Sequence, residues 1–99
     1  MADVVKASKR VALSENPTIW DFDFTNDLRT GESVSSATAT HRPPSGSAST
    51  PTVGTIAANV VPVQLGALTV TGTHFLDVLA TLVGGRKTLM RLEFDVTLP

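Results

Sequence analysis

Ninety-nine residues suffice for one domain with a single modest core and leave no room for a catalytic domain beside a regulatory one. Eight basic against nine acidic side chains give a net charge of −1, which supplies no clustered cationic surface for nucleic-acid phosphates. The absence of cysteine excludes disulfide frameworks, thiolate metal sites and cysteine nucleophiles, and no apolar run approaches the ~20 residues of a membrane-spanning helix.

Residues 1–16 read as an extended N-terminal arm, with residues 17–99 as the domain proper. Lys6, Lys9 and Arg10 concentrate positive charge in the arm. Met1 to Lys9 lacks the apolar stretch of a secretory signal. Such a segment is either a frayed end or an arm that docks on a neighbouring subunit. Asn16-Pro17 marks a turn, and Thr18 to Phe24 follows as a strand. There the period of two puts Trp20, Phe22 and Phe24 on one face and Ile19, Asp21 and Asp23 on the other, so the aromatics are the expected nucleus of the core.

Thr25-Asn26-Asp27 reads as a turn with Leu28 as a plug, and Ser33 to Thr40 as a second strand with small residues on both faces. His41 to Gly54 is rich in Pro, Ser and Gly, and two adjacent prolines cannot join a ladder, so a long exposed loop is expected. Thr55 to Leu65 returns to strand, with Val61, Val63 and Leu65 on one face. Pro62 lacks a donor and requires an edge strand or a position turned away from the ladder. Gly66 to Gly72 is a short apolar connection or strand around Leu68 and Val70.

Thr73 to Leu82 and Lys87 to Leu98 form the strongest signal, two long strands across Gly84-Gly85. In the last strand Met90, Leu92, Phe94, Val96 and Leu98 face in, while Arg91, Glu93, Asp95 and Thr97 face out. Leu76, Val78, Ala80 and Leu82 form the uncharged face of its neighbour, and Asp77 lies on the other. A two-residue loop would mix these faces, because a one-residue slip inverts every side chain. A three-residue loop, Gly84-Gly85-Arg86, with a glycine bulge and Leu82 opposite Thr88, keeps them in phase. No segment has helical periodicity over ten residues, so the class is all-β, a sandwich or barrel.

Chemistry-bearing motifs are sparse. His41 and His74 have no Ser, Cys or carboxylate partner at a catalytic spacing and read as ordinary surface or half-buried histidines. Asp21, Asp23, Asp27 and Glu32 are a carboxylate cluster, but their spacing matches no calcium loop, and a strand's polar face is normally just solvated. The sequence contains no nucleophile elbow, phosphate-cradling glycine loop or paired zinc-ligand motif. The expectation is a protein that packs and binds: not an enzyme, with no catalytic residue, cofactor, metal or small-molecule substrate.

Taken together, Asp21-Phe22-Asp23-Phe24-Thr25, Leu28, Gly31 to Thr38, Gly72-Thr73-His74-Phe75, Gly84-Gly85-Arg86 and the final alternating strand resemble small immunoglobulin-like virion accessory proteins of tailed bacteriophages. The resemblance spans the chain from about Pro17 on. It implies an immunoglobulin-like β-sandwich of about seven antiparallel strands, with the arm added. It further implies a structural role at the capsid surface of the virion: a decoration or cement protein that binds the major capsid protein in the assembled head, as a homo-oligomer, with a trimer favoured. Docking would then fall to Lys6, Lys9 and Arg10 of the arm and to Arg42, Pro43 and Pro44 of the loop. The alternative role is a tail or baseplate module whose loop contacts a host-surface glycan. Neither nucleic acid nor membrane is an expected partner.

Overall fold

The computed structural model describes residues 2–12, 18–66 and 68–98, with side chains from residue 19 onward. Within them the chain is all-β apart from one short 3-10 turn, Thr25–Asp27. The strands are β1 (Ala2–Ala12), β2 (Thr18–Asp23), β3 (Val34–Arg42), β4 (Thr52–Val53), β5 (Val60–Leu65), β6 (Gly72–Leu82) and β7 (Lys87–Thr97). They form a four-stranded sheet in the order β1-β7-β6-β3 and a three-stranded sheet in the order β2-β5-β4.

Every pairing is antiparallel except that of β1, which runs parallel to β7. The described strands after residue 17 pair antiparallel with one another, as expected; the departure is the parallel strand formed by residues 2–12, which were expected as an arm. No tight hairpin joins the first strand to the last, so nothing forces them to run in opposite directions. Most of the segment read as an arm is thus an edge strand of the chain's own sheet.

Alternation explains the core. Phe22 and Phe24 from β2 and its end, and Val61, Val63 and Leu65 from β5, are buried in one cluster with Leu76, Val78, Ala80 and Leu82 of β6 and Leu92, Phe94 and Val96 of β7. Each set occupies alternate positions, as a strand with one buried face requires. Ile19 is exposed, as its phase predicts. Leu98 departs from its predicted inward position and is 73% exposed, because β7 stops at Thr97 and Leu98 lies past its last paired residue.

Several boundaries differ from the sequence reading. The β6–β7 hairpin has an odd loop, but it comprises Val83, Gly84 and Gly85, and Ala80 lies opposite Thr88. Leu82 N–H donates to the Arg86 carbonyl at 2.8 Å, so Arg86 belongs to the ladder and not to the loop. Both glycines take positive φ, a region that side chains resist. Thr55 to Leu65 is not one strand. A tight turn at Ala58-Asn59, with φ of 51° and 65°, closes on Ala57 and Val60 before β5 begins. Asn59 holds that turn to both sheets: its carbonyl accepts from Phe24 N–H at 3.0 Å, and its Oδ1 from Val34 N–H at 3.0 Å.

The loop expected over His41 to Gly54 is shorter. β3 continues through Arg42, and Thr52–Val53 forms β4, leaving residues 43–51 as connection. The strand continues because both extra residues find partners across the sheet.

Candidate functional site

The β3–β6 register sets His41 opposite Leu76, and the β6–β7 register sets His74 opposite Phe94. His41 and His74 therefore occupy diagonal positions on the core face of the sheet, within reach of each other. The His41 Nε2 to His74 Nδ1 distance is 2.8 Å, and the rings lie nearly parallel with centroids 5.0 Å apart. Phe94 stacks against both, at 6.2 Å from His41 and 5.4 Å from His74. His74 is 1% exposed; His41 is half-buried.

Hydrogen bonding orders the protons on this pair. The Val70 carbonyl lies 2.6 Å from His74 Nε2 and can only accept, so His74 Nε2 carries a hydrogen. With both rings neutral, His74 Nδ1 is then an acceptor and His41 Nε2 its donor. That leaves His41 Nδ1 as a bare acceptor. Burial, reinforced by proximity to His74, lowers the pKa of His41 below its ordinary value of 6.5.

The pair sits at the end of a cleft of about 500 Å³ between the 43–52 segment and residues 64–74. His41 anchors one wall through its backbone, exchanging hydrogen bonds with Ser49 at 2.8 and 3.0 Å. His74 anchors the other through Val70. The lining is mainly hydroxyl side chains, Gln64, and the apolar surfaces of Pro43, Pro51, Leu65, Leu68 and Val70. Sequence spacing did not reveal this site, because its two histidines are 33 residues apart and meet only through strand register.

A second cluster lies on the opposite face of the same sheet. Asp77 is directly across from Arg91, and Arg42 lies diagonal to it. Arg91 Nε and Nη2 donate to the two Asp77 oxygens at 2.6 and 2.9 Å, and Arg42 Nε donates at 3.0 Å. The Arg91 guanidinium also lies 5.1 Å from the centroid of the Phe75 ring. The Arg91 hydrogen bonds hold the Asp77 carboxyl below its ordinary range, with Arg42 adding to the effect against the cost of burial.

The expected docking residues are dispersed. The backbones of Lys6, Lys9 and Arg10 belong to β1, where Lys6 is paired with Glu93 and Arg10 with Asp95; their side chains lie outside the described residues. Arg42 reaches Asp77 on the outer face, Pro43 lines the cleft, and Pro44 packs beside Gly72. The carboxylates weighed for a cation also part company. Asp23 caps Thr25, accepting from its N–H at 2.9 Å and its hydroxyl at 2.6 Å, while Glu32 binds Arg86. No group of three metal-ligating side chains occurs among the described residues.

Neither the family models nor the curated proteins yield a match to this chain.

Proposed function

We propose that this chain is an immunoglobulin-like β-sandwich that works by binding, as a structural virion protein of a tailed bacteriophage that decorates the assembled capsid. It would dock on the major capsid protein, as a homo-oligomer with a trimer favoured, and so stabilise the shell. Binding to the assembled shell and not to free subunits stabilises the shell by mass action.

The observation that carries this reading is the state of Arg42. Its side chain is 53% exposed, yet it is held on the sheet by Asp77, beside an Arg91 stacked on Phe75. Arginine and aromatic side chains are enriched at protein interfaces, and groups already ordered lose less freedom on binding. Half-buried Leu79 and Leu89 extend the same face. The charge on this face is largely compensated within it, so docking removes few unpaired ions from water.

The test is the copy number of the chain in purified particles. A simple fraction of the major capsid protein supports decoration, and the Arg42→Glu variant should then be under-incorporated. A handful of copies per particle moves the chain to the tail or baseplate. Absence from particles overturns the virion reading.

A second reading has its own observation. A tail or baseplate module that binds a host-surface glycan would use the cleft beside His41, whose wall is the 43–52 segment.

A further inference from the structure

We propose that the cleft between residues 43–52 and 64–70 binds the end of a neutral carbohydrate chain, with His41 Nδ1 accepting a hydrogen bond from a sugar hydroxyl. The inference deepens the second reading and rests on it.

Lining chemistry selects the ligand class. Six serines and threonines and Gln64 line the space, and among the lining residues only His41 and His74 are titratable. An anionic or cationic ligand would find no counter-charge there, and burying an unpaired ion is costly. A sugar offers what the wall can satisfy: hydroxyls that donate and accept, and C–H faces that pack on half-buried Pro43, Pro51 and Val70. The volume, about 500 Å³, falls in the ordinary range of small-molecule sites.

The histidine relay adds direction. Serine and threonine hydroxyls rotate and present either a donor or an acceptor. His41 does not: the chain from the Val70 carbonyl through His74 fixes its tautomer and leaves Nδ1 as an acceptor. Among the described residues nothing occupies that nitrogen. A sugar hydroxyl can donate to it, and an aprotic ligand cannot.

Acid should therefore weaken binding. A proton on His41 Nδ1 turns the acceptor into a donor. No described carboxylate, lysine or arginine lines the cleft to offset this; Arg42 and Asp77, adjacent in the sheet, face its other side.

The experiment uses the full chain, labelled with ¹⁵N and titrated with lactose, maltose, cellobiose and chitobiose, with sialyllactose as the charged comparison. The expected result is amide shifts confined to residues 43–52 and 64–70 for at least one neutral sugar. Gln64→Ala and Thr69→Val, both at exposed positions, should each weaken it, by about tenfold where a direct hydrogen bond is lost. Binding should also fall as the pH is lowered below 6.5, and His41→Phe, with its fold checked by the same spectra, should abolish that dependence. No shift in the cleft with any neutral sugar overturns the inference. If a parallel glycan array finds a ligand that shifts a different surface, the glycan reading survives and the cleft assignment fails. If the array is blank, both fail. Preference for sialyllactose overturns the neutral chemistry.

Discussion

Gly54 and Pro62 define where the three-stranded sheet narrows. Gly54 N–H donates to the Pro62 carbonyl at 2.8 Å, and a Cβ on Gly54 would lie 3.0 Å from the Pro62 ring. Pro62 sits in β5, the central strand of its sheet, which is an unfavourable place for a residue without a donor. The conflict is resolved because its nitrogen and carbonyl face β4, and β4 ends at Val53, one residue before Pro62 would be asked to donate. Gly54→Ala should cost about 1–3 kcal/mol through this overpacking, measured by denaturant unfolding. Pro62→Ala removes the ring, so the double variant should be less destabilised than the sum of the singles. Additive losses would show that the ring is not what excludes a side chain at Gly54.

The parts of the fold carried by local alternation were legible in the sequence. Phe22 and Phe24, the Leu76 to Leu82 face and Leu92, Phe94 and Val96 all stand where a period of two puts them. What was not legible depends on distant partners. The hairpin loop falls one residue early because Arg86 is drawn into the ladder and toward Glu32, 54 residues away. His41 and Arg42 read as loop from the prolines beside them, yet they are strand because His74 and Asp77 receive them. The same non-locality hid the cleft: each histidine is unremarkable alone, and the pair exists only in the β3–β6 register.

Asp77 should be the most sensitive charged position of the outer face. Its side chain is 8% exposed and its oxygens take three bonds from two arginines. Arg91→Ala removes two of these bonds and the contact with Phe75. Arg42→Ala removes one, from a side chain more than half exposed. The expected order of destabilisation is Arg91→Ala above Arg42→Ala, with Asp77→Ala costing about 1–3 kcal/mol. Equal losses for the two arginines, by chemical denaturation, would mean that the second Arg91 bond and the ring contact contribute nothing.

Glu32 ties the hairpin to the segment before β3. Its carboxylate takes Arg86 Nε at 2.9 Å and Nη2 at 2.7 Å, and also accepts from Arg29 N–H at 2.7 Å. The Arg86 pairing, with the Arg29 bond second, lowers its pKa from 4.5 to about 2. A carboxyl depressed in the fold binds protons more readily when unfolded, so its stabilising effect is present above pH 4.5 and is lost as pH falls toward about 2. Melting temperatures followed through that window should fall less steeply for Glu32→Gln than for the wild type. Arg86→Lys keeps the charge but not the fork, and should speed hydrogen exchange at Arg29 and Gly85. Unchanged exchange at both amides would show that charge alone suffices.

His41 predicts a separate, milder acid transition. Its folded pKa lies below 6.5, chiefly through burial, so the unfolded chain binds the proton more readily. The stability due to neutral His41 is complete above pH 6.5 and declines as pH drops through its folded value. Melting temperatures should therefore begin to fall on acidification before the carboxylate window is reached. His41→Gln keeps a donor toward His74 Nδ1 without a titrating ring, and its melting temperature should be flatter over the upper part of that range. Long-range ¹H–¹⁵N spectra of the wild type should show His41 as the Nε2–H tautomer at neutral pH. An Nδ1–H tautomer would reverse the proton order argued from Val70, and a His41→Gln profile as steep as the wild type would assign the transition to another group.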